Sequence, residues 1–120
     1  MEGNDKIEFI EAFKNRTKCF VLKVIKLFQA LPKTEEARII GRQLLRSSTS
    51  VGANYRAVCR ARSKKEFFSK LSVVVEEADE SLFWIEVLIE SDIMNDASIL
   101  DLKKEITEIL AVVSKARKNT

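Results

Sequence analysis

The sequence predicts an all-α protein, an antiparallel up-down-up-down left-handed four-helix bundle. The 120 residues include only three glycines and one proline, too few for the many turns of an all-β fold. Apolar residues recur at alternating steps of three and four, the spacing of one helix face. Because the breaks between these segments are short, consecutive helices must lie antiparallel as neighbours. At this length we expect a single domain spanning residues 1–120.

The first helix is expected at about residues 5–31. Asp5 with Glu8 fits a capping box at its start, in which each residue satisfies a free backbone N–H. Leu31-Pro32 ends it, because the residue before a proline avoids the helical region. The core-facing positions, which we call the seam, are Ile10, Phe13, Thr17, Phe20, Val24, Leu27 and Leu31.

The second helix is expected at about residues 35–60, with Thr34 as its N-cap. Residues 47–52 are poor helix formers and favour a break. The seam nevertheless keeps its phase through them, so we predict one continuous helix whose small residues allow a neighbouring backbone to approach. The seam positions are Ala37, Ile40, Leu44, Ser48, Val51, Tyr55 and Val58.

The third and fourth helices are expected at about residues 64–91 and 96–117. Ser63 and Glu66 form a capping box before the third helix, and Asn95 or Ser98 begins the fourth. The third seam is predicted to be Phe68, Leu71, Val75, Ala78, Leu82, Ile85 and Ile89. The fourth is predicted to be Ile99, Leu102, Ile106, Ile109, Val113 and Ala116.

The composition argues against several classes of protein. The chain has no histidine, which removes the usual general base, the hydrolase triads and most zinc or di-iron sites. Cys19 and Cys59 lack Cys-x-x-Cys spacing and are interpreted as reduced residues in or near the core. Acidic residues interrupt the N-terminal segment, and no apolar run approaches the length of a membrane span. We therefore expect a cytoplasmic, non-enzymatic protein that needs no cofactor.

Charge is strongly segregated along the chain. Residues 38–70 carry nine Lys and Arg against one acid, a net charge of +8. Residues 71–108 carry eleven acids against two lysines, a net charge of −9. Such complementary surfaces favour head-to-tail contacts between copies, which close into a ring when the rotation allows. Pairing between adjacent helices of one bundle is the alternative.

The basic segment suggests a phosphate-binding surface. On a helical wheel, five arginines of the second helix share a sector of about 80° opposite the seam. Further cations follow at the corner before the third helix, where free N–H groups favour an anion and the helix dipole disfavours cations. The predicted nucleic-acid-binding residues are Arg38, Arg42, Arg46, Arg56, Arg60, Arg62, Lys64 and Lys65. The alternative is a solvated face whose charges pair with acids of a neighbouring helix.

Apolar residues off the seams suggest an interface between subunits. They are Phe9, Phe28, Phe67, Val73, Trp84 and Val112. Singly, each could widen the apolar stripe of its helix, but together they exceed what one slim core covers. Phe67 and Trp84 are the predicted oligomer contacts, with Trp84 as anchor. The acids of the third helix are spread around it rather than convergent, so no metal site is expected.

Two motifs resemble a known bacterial family. They are Leu45-Arg46-Ser47-Ser48-Thr49-Ser50-Val51-Gly52-Ala53-Asn54 and Arg62-Ser63-Lys64-Lys65-Glu66-Phe67. The chain resembles the four-helix-bundle proteins encoded in intervening sequences of the 23S ribosomal RNA gene, which are related to the accessory variability proteins of diversity-generating retroelements. Where members commonly carry a proline, this chain has Gly52, and Arg56-Ala57-Val58 replaces an Ala-Glu-Gly.

The resemblance implies a ring-shaped homopentamer from a family with no established enzymatic activity. The retroelement relatives bind nucleic acid and a reverse transcriptase, which makes both of them expected classes of partner. Our first hypothesis is a non-enzymatic oligomeric protein that binds nucleic acid, RNA foremost, through electrostatic contacts with little reading of bases. The alternative is an interaction scaffold whose basic surface docks an acidic partner, such as an enzyme of the same locus.

Overall fold

A computed structural model describes residues 2–120, with side chains from residue 5 onward. It contains four helices and, within those residues, no strand: α1 (Glu2–Ala30), α2 (Glu35–Val58), α3 (Lys64–Glu90) and α4 (Ala97–Lys118). The helices form an all-α four-helix bundle measuring 49 × 25 × 20 Å. The predicted fold class is therefore confirmed. None of the described helices is long and apolar enough to span a membrane.

Two of the predicted helix starts are confirmed by their caps. The Thr34 hydroxyl accepts a hydrogen bond from the Ala37 N–H at 3.3 Å, and Ser63 accepts from the Glu66 N–H at 3.0 Å. Each side chain thereby satisfies one of the N–H groups that have no partner in the first helical turn.

The other two starts differ from the prediction. α1 already begins at Glu2, so Asp5 lies inside the helix and the expected capping box at its start is wrong. α4 is capped by Asp96, whose carboxylate accepts from the Ile99 N–H at 3.2 Å, rather than by Asn95 or Ser98. Aspartate is a preferred N-cap residue because its negative charge also interacts favourably with the positive end of the helix dipole.

α2 is continuous through the run of serines, as its seam predicted. Thr49 bonds back to the Leu45 carbonyl at 2.8 Å, which satisfies its hydroxyl within the helix. Ser47, Ser48 and Ser81 are fully buried where α2 meets α3, with the Ser81 hydroxyl 2.9 Å from that of Ser47. The small serines therefore let the two helices approach while keeping their polar atoms partnered.

The core follows the predicted seams in α1, α2 and α4, with a shift in α3. The buried residues of α3 are Leu71, Val74, Ala78, Ser81, Ile85 and Leu88. Of the predicted seam, Val75, Leu82 and Ile89 lie half-buried at its flank, and Phe68 is exposed. α3 is thus rotated slightly from the expected orientation, which turns Ser81 toward the serines of α2. Cys19 is also exposed rather than near the core, whereas Cys59 is half-buried.

The four helices do not pack equally. α2 and α3 form the most extensive contact, and α1 and α4 the least. The α1–α4 contact is bridged by Arg16, whose guanidinium donates two hydrogen bonds of 2.7 Å to the Glu105 carboxylate. Arg16 also reaches Glu108 at 3.1 Å. Clefts remain between α1 and α4 on either side of this bridge.

Candidate nucleic-acid interface

A groove with cationic walls runs along the contact between α1 and α2. Three clefts succeed one another in it, from the α1–α2 connection to the C-terminal end of α2. Arg38 and Arg60 mark its two ends, about 33 Å apart along the helix axis. We call this surface the basic groove; its cations are Lys14, Lys18, Lys33, Arg38, Arg42, Arg56 and Arg60.

The floor of the basic groove is made of small side chains. Thr49, Gly52 and Ala53 of α2 face Asn15 and Val21 of α1 in its central cleft. A Cβ atom at Gly52 would lie only 2.9 Å from Val21 Cγ2, so the glycine permits close approach of the two helices. The longer Lys and Arg side chains therefore project past the floor from both walls.

Most charges of the basic groove have no partner in the bundle. Glu11 is the one acid among the described residues that line its clefts, and its carboxylate lies 3.1 Å from Lys14 Nζ. Among the described residues, the other six cations have no carboxylate within 4.0 Å. Unpaired like charges repel one another, so this arrangement destabilises the free protein. An anionic partner would relieve the repulsion.

Arg46 is separated from the other arginines of α2 by its ion pairs. Its guanidinium contacts Glu77 at 3.1 Å and also donates to Glu80 of α3. Glu80 in turn accepts a hydrogen bond from the Trp84 indole at 3.0 Å. The hydrogen bonds from Trp84 and Arg46 lower the pKa of Glu80. The hydrogen bonds to Glu80 and Glu77 raise the pKa of Arg46. At this position the structure shows the alternative we considered, pairing between adjacent helices.

The corner between α2 and α3 lies at the Arg60 end of the basic groove. Arg62, Lys64 and Lys65 are all exposed there. Arg62 approaches Glu66 at 3.8 Å, a long contact in which the arginine stays 89% exposed. The corner cations thus extend the basic surface at that end.

Phe67 and Trp84 do not share one patch. They are 17 positions apart on α3, about 25 Å along its axis. Phe67 faces a cavity at the end of the bundle. Trp84 packs beside Phe83, which is 52% exposed, at a ring-centroid distance of 4.8 Å. Of the six off-seam residues, only Phe9 and Val73 are exposed; Phe28, Phe67, Trp84 and Val112 pack against the core and widen it.

Sequence reasoning missed the α1 wall of the basic groove. Lys14 and Lys18 are four positions apart and flank the buried Thr17, so a helical wheel of α1 would have placed both beside its seam. Which side of α1 faces α2 is a matter of bundle packing, however, and a single helix does not indicate it. The described residues also contain no cluster of three or more Cys, Asp or Glu side chains able to hold a metal ion.

Comparison with known proteins identifies the family. A sequence model for the 23S rRNA-intervening sequence protein matches residues 12–115. The chain belongs to this family. No curated protein matches the chain significantly.

A solved structure of similar fold is described as a protein of unknown function from the S23 ribosomal protein family of Bacteroides thetaiotaomicron. It shares 28% sequence identity with this member of the intervening-sequence family and superposes with a TM-score of 0.80. The similarity covers 88% of this chain and 97% of that chain. All seven cations of the basic groove lie within the region that the family model matches.

Proposed function

We propose that this intervening-sequence family protein is a non-enzymatic, oligomeric protein that binds the phosphate backbone of RNA in its basic groove. The observation that carries the proposal is the run of seven cations along the α1–α2 contact, six of which have no carboxylate of the described residues within 4.0 Å. Such a surface fits a polyanion whose charges are spaced along a line, rather than a single small anion.

The composition of the groove sets the kind of recognition. Of its seven cations, Arg38, Arg42, Arg56 and Arg60 can contact phosphate oxygens in bidentate fashion. Phe28 is the one aromatic ring among the lining residues, and it is half-buried at one end. Because exposed rings for base stacking are lacking in the described groove, binding depends on charge and carries little sequence preference. The family description, which names ribosomal RNA, favours RNA over DNA as the first ligand to test.

Salt-dependent RNA binding by matched variants tests this proposal. Fluorescence anisotropy with a labelled single-stranded RNA would be recorded for wild type and for the triple variant Lys14→Ala, Lys18→Ala, Arg56→Ala. Its control is Lys104→Ala, Lys115→Ala, Lys118→Ala, which removes three exposed cations from α4, outside the groove. We expect only the groove variant to bind at least tenfold more weakly, with the log–log salt slope reduced by about 2.

Three results would contradict the proposal. They are no RNA binding at low salt, equal losses in both variants, or a pull-down whose partner survives nuclease treatment and is lost with the groove variant. The last result would point to the acidic protein partner of our alternative hypothesis.

A further inference from the structure

A second site adjoins the Arg60 end of the basic groove, where the bundle holds an apolar cavity of about 250 Å³. All four helices line it, at the end where α1 and α3 begin and α2 and α4 end. Its inner wall is made by side chains that are at least 93% buried: Phe13, Tyr55, Leu71 and Val113. The cavity lies between the Arg16 bridge and this end of the bundle, beside α1 and α4, the neighbouring helices with the least contact.

The charge that lines the cavity is positive and lies at its rim. Among the described residues, Lys6, exposed at the rim, is the one charged residue that lines it. Two further polar groups, the Tyr55 hydroxyl and the Cys59 thiol, lie next to each other in the wall. Burial raises the pKa of both, so both remain neutral near pH 7. A ligand would therefore meet an apolar interior with a single cation at its entrance.

The volume sets the size of such a ligand. An apolar cavity of about 150 Å³ is known to accept benzene, so about 250 Å³ accommodates roughly ten non-hydrogen atoms. This is below the usual size of sites for drug-like molecules. A medium-chain fatty acid or a small aryl acid contains about this number of atoms and carries a single negative charge.

We propose that this cavity binds a small amphipathic carboxylate, with its apolar body against Phe13, Leu71 and Val113 and its carboxylate near Lys6. None of the seven groove cations lines this cavity, although Ile10 and Cys59 line both the cavity and the end of the basic groove. A bound molecule would contact all four helices and hence bind only the folded bundle, which raises its melting temperature.

Calorimetry with two ligands of matched length tests the charge requirement. Octanoate and octanol would be titrated into wild type, Lys6→Gln and the control Lys104→Gln, which removes another exposed cation, from α4. We expect Lys6→Gln to weaken octanoate about fivefold and to leave octanol unchanged. The control should bind both ligands like wild type. Octanoate binding that is insensitive to Lys6→Gln, or the absence of binding by either ligand, overturns the proposal.

Cysteine alkylation tests where the ligand binds. Cys59 lines the cavity, whereas Cys19 is exposed on α1 outside it and serves as the internal reference. Saturating octanoate should slow iodoacetamide modification of Cys59 at least threefold and leave Cys19 unchanged. Ala116→Leu, which fills the cavity from α4, should abolish both binding and protection while the helical circular dichroism is retained. Equal effects on the two thiols, or full binding by a folded Ala116→Leu protein, would place the ligand elsewhere and contradict the inference.

Discussion

Asp92 occupies a backbone conformation that usually belongs to glycine. It follows the end of α3 with φ of 65°, the one positive-φ residue other than glycine in the described chain. Left-handed geometry costs an L-residue about 1 kcal/mol, because its Cβ approaches the following carbonyl oxygen. Asp92 recovers part of this cost by accepting a hydrogen bond of 2.7 Å from the Asn95 amide.

We predict that Asp92→Gly raises the free energy of unfolding by about 0.5 kcal/mol, since glycine adopts this conformation without strain. Asp92→Ala should lower it, because alanine keeps the Cβ and loses the bond from Asn95. Urea denaturation of all three proteins at one protein concentration measures the difference. If the glycine variant is the least stable, the conformation at residue 92 is not the source of strain.

Glu105 connects α4 to α1, the neighbouring helices with the least contact. Its contribution to the free energy of unfolding depends on pH. The hydrogen bonds from Arg16 lower the pKa of the Glu105 carboxyl below the ordinary value for glutamate. A carboxyl whose pKa is lower in the folded than in the unfolded protein stabilises above the unfolded pKa, and this stabilisation is lost as pH falls through the folded pKa. The bridge is therefore intact at neutral pH, and its stabilisation declines below the ordinary glutamate pKa of about 4.3 and disappears only below the lower pKa of the folded protein.

We predict that Glu105→Gln lowers the free energy of unfolding by about 1 kcal/mol at pH 7, as expected for a bidentate, partly buried pair. The difference from wild type should shrink as the pH falls from 5 toward 3. Urea titrations at several pH values measure it, with Glu76→Gln, an exposed acid of α3, as control. A difference that is constant over that range would show that the charge of Glu105 is not what stabilises the contact.

At the scale of the elements, the sequence predicts most of the helices and leaves open their rotation. In α3, Leu71, Ala78 and Ile85 belong to two possible seams. One seam adds Val75 and the other adds Val74 with Ser81. Apolar spacing favoured the first, but the structure adopts the second because buried serines of α2 partner Ser81. Such a choice depends on the neighbouring helix, which the pattern of one helix does not contain.

The same limit explains the candidate RNA site. A helical wheel of α2 alone predicts a face of arginines, and these arginines are exposed in the structure. The lysine wall of α1 and the pairing of Arg46 with α3 both arise between helices. Periodicity within a helix therefore identifies cationic faces, whereas packing decides which cations remain free.

Close packing also gives a test at the scale of two helices. A Cβ at Gly41 of α2 would lie 2.7 Å from Leu31 Cδ1 and 3.0 Å from Phe28 Cδ1. We predict that Gly41→Ala lowers the free energy of unfolding by about 1 kcal/mol, because overpacking outweighs the gain in helix propensity. Thr49→Ala, exposed on the same helix, should instead raise it by about 0.5 kcal/mol. Urea midpoints distinguish the two; a stabilising Gly41→Ala would mean that Leu31 and Phe28 shift without cost.

At the scale of the whole molecule, charge and apolar exposure both favour self-association. The acidic segment includes α3, where Phe83 is 52% exposed beside the half-buried Trp84. We expect this apolar pair to lie at the centre of a head-to-tail contact, with ion pairs at its rim setting the register. Complementary patches of this kind close into a ring when the rotation allows, and the predicted ring is a pentamer.

We predict that the wild-type protein is a closed oligomer and that Trp84→Glu dissociates it into helical monomers of 13.7 kDa. Trp84 also packs against the core, so its replacement tests folding as well as assembly. Phe83→Glu separates the two effects, because Phe83 contacts Trp84 from the exposed side of α3. Leu100→Glu, at a residue 49% exposed on α4, is the matched control and should remain assembled. Light scattering with circular dichroism provides both readouts. A wild-type mass of one chain at micromolar concentration would refute the assembly, and a Phe83→Glu protein that stays oligomeric would move the contact away from this face of α3.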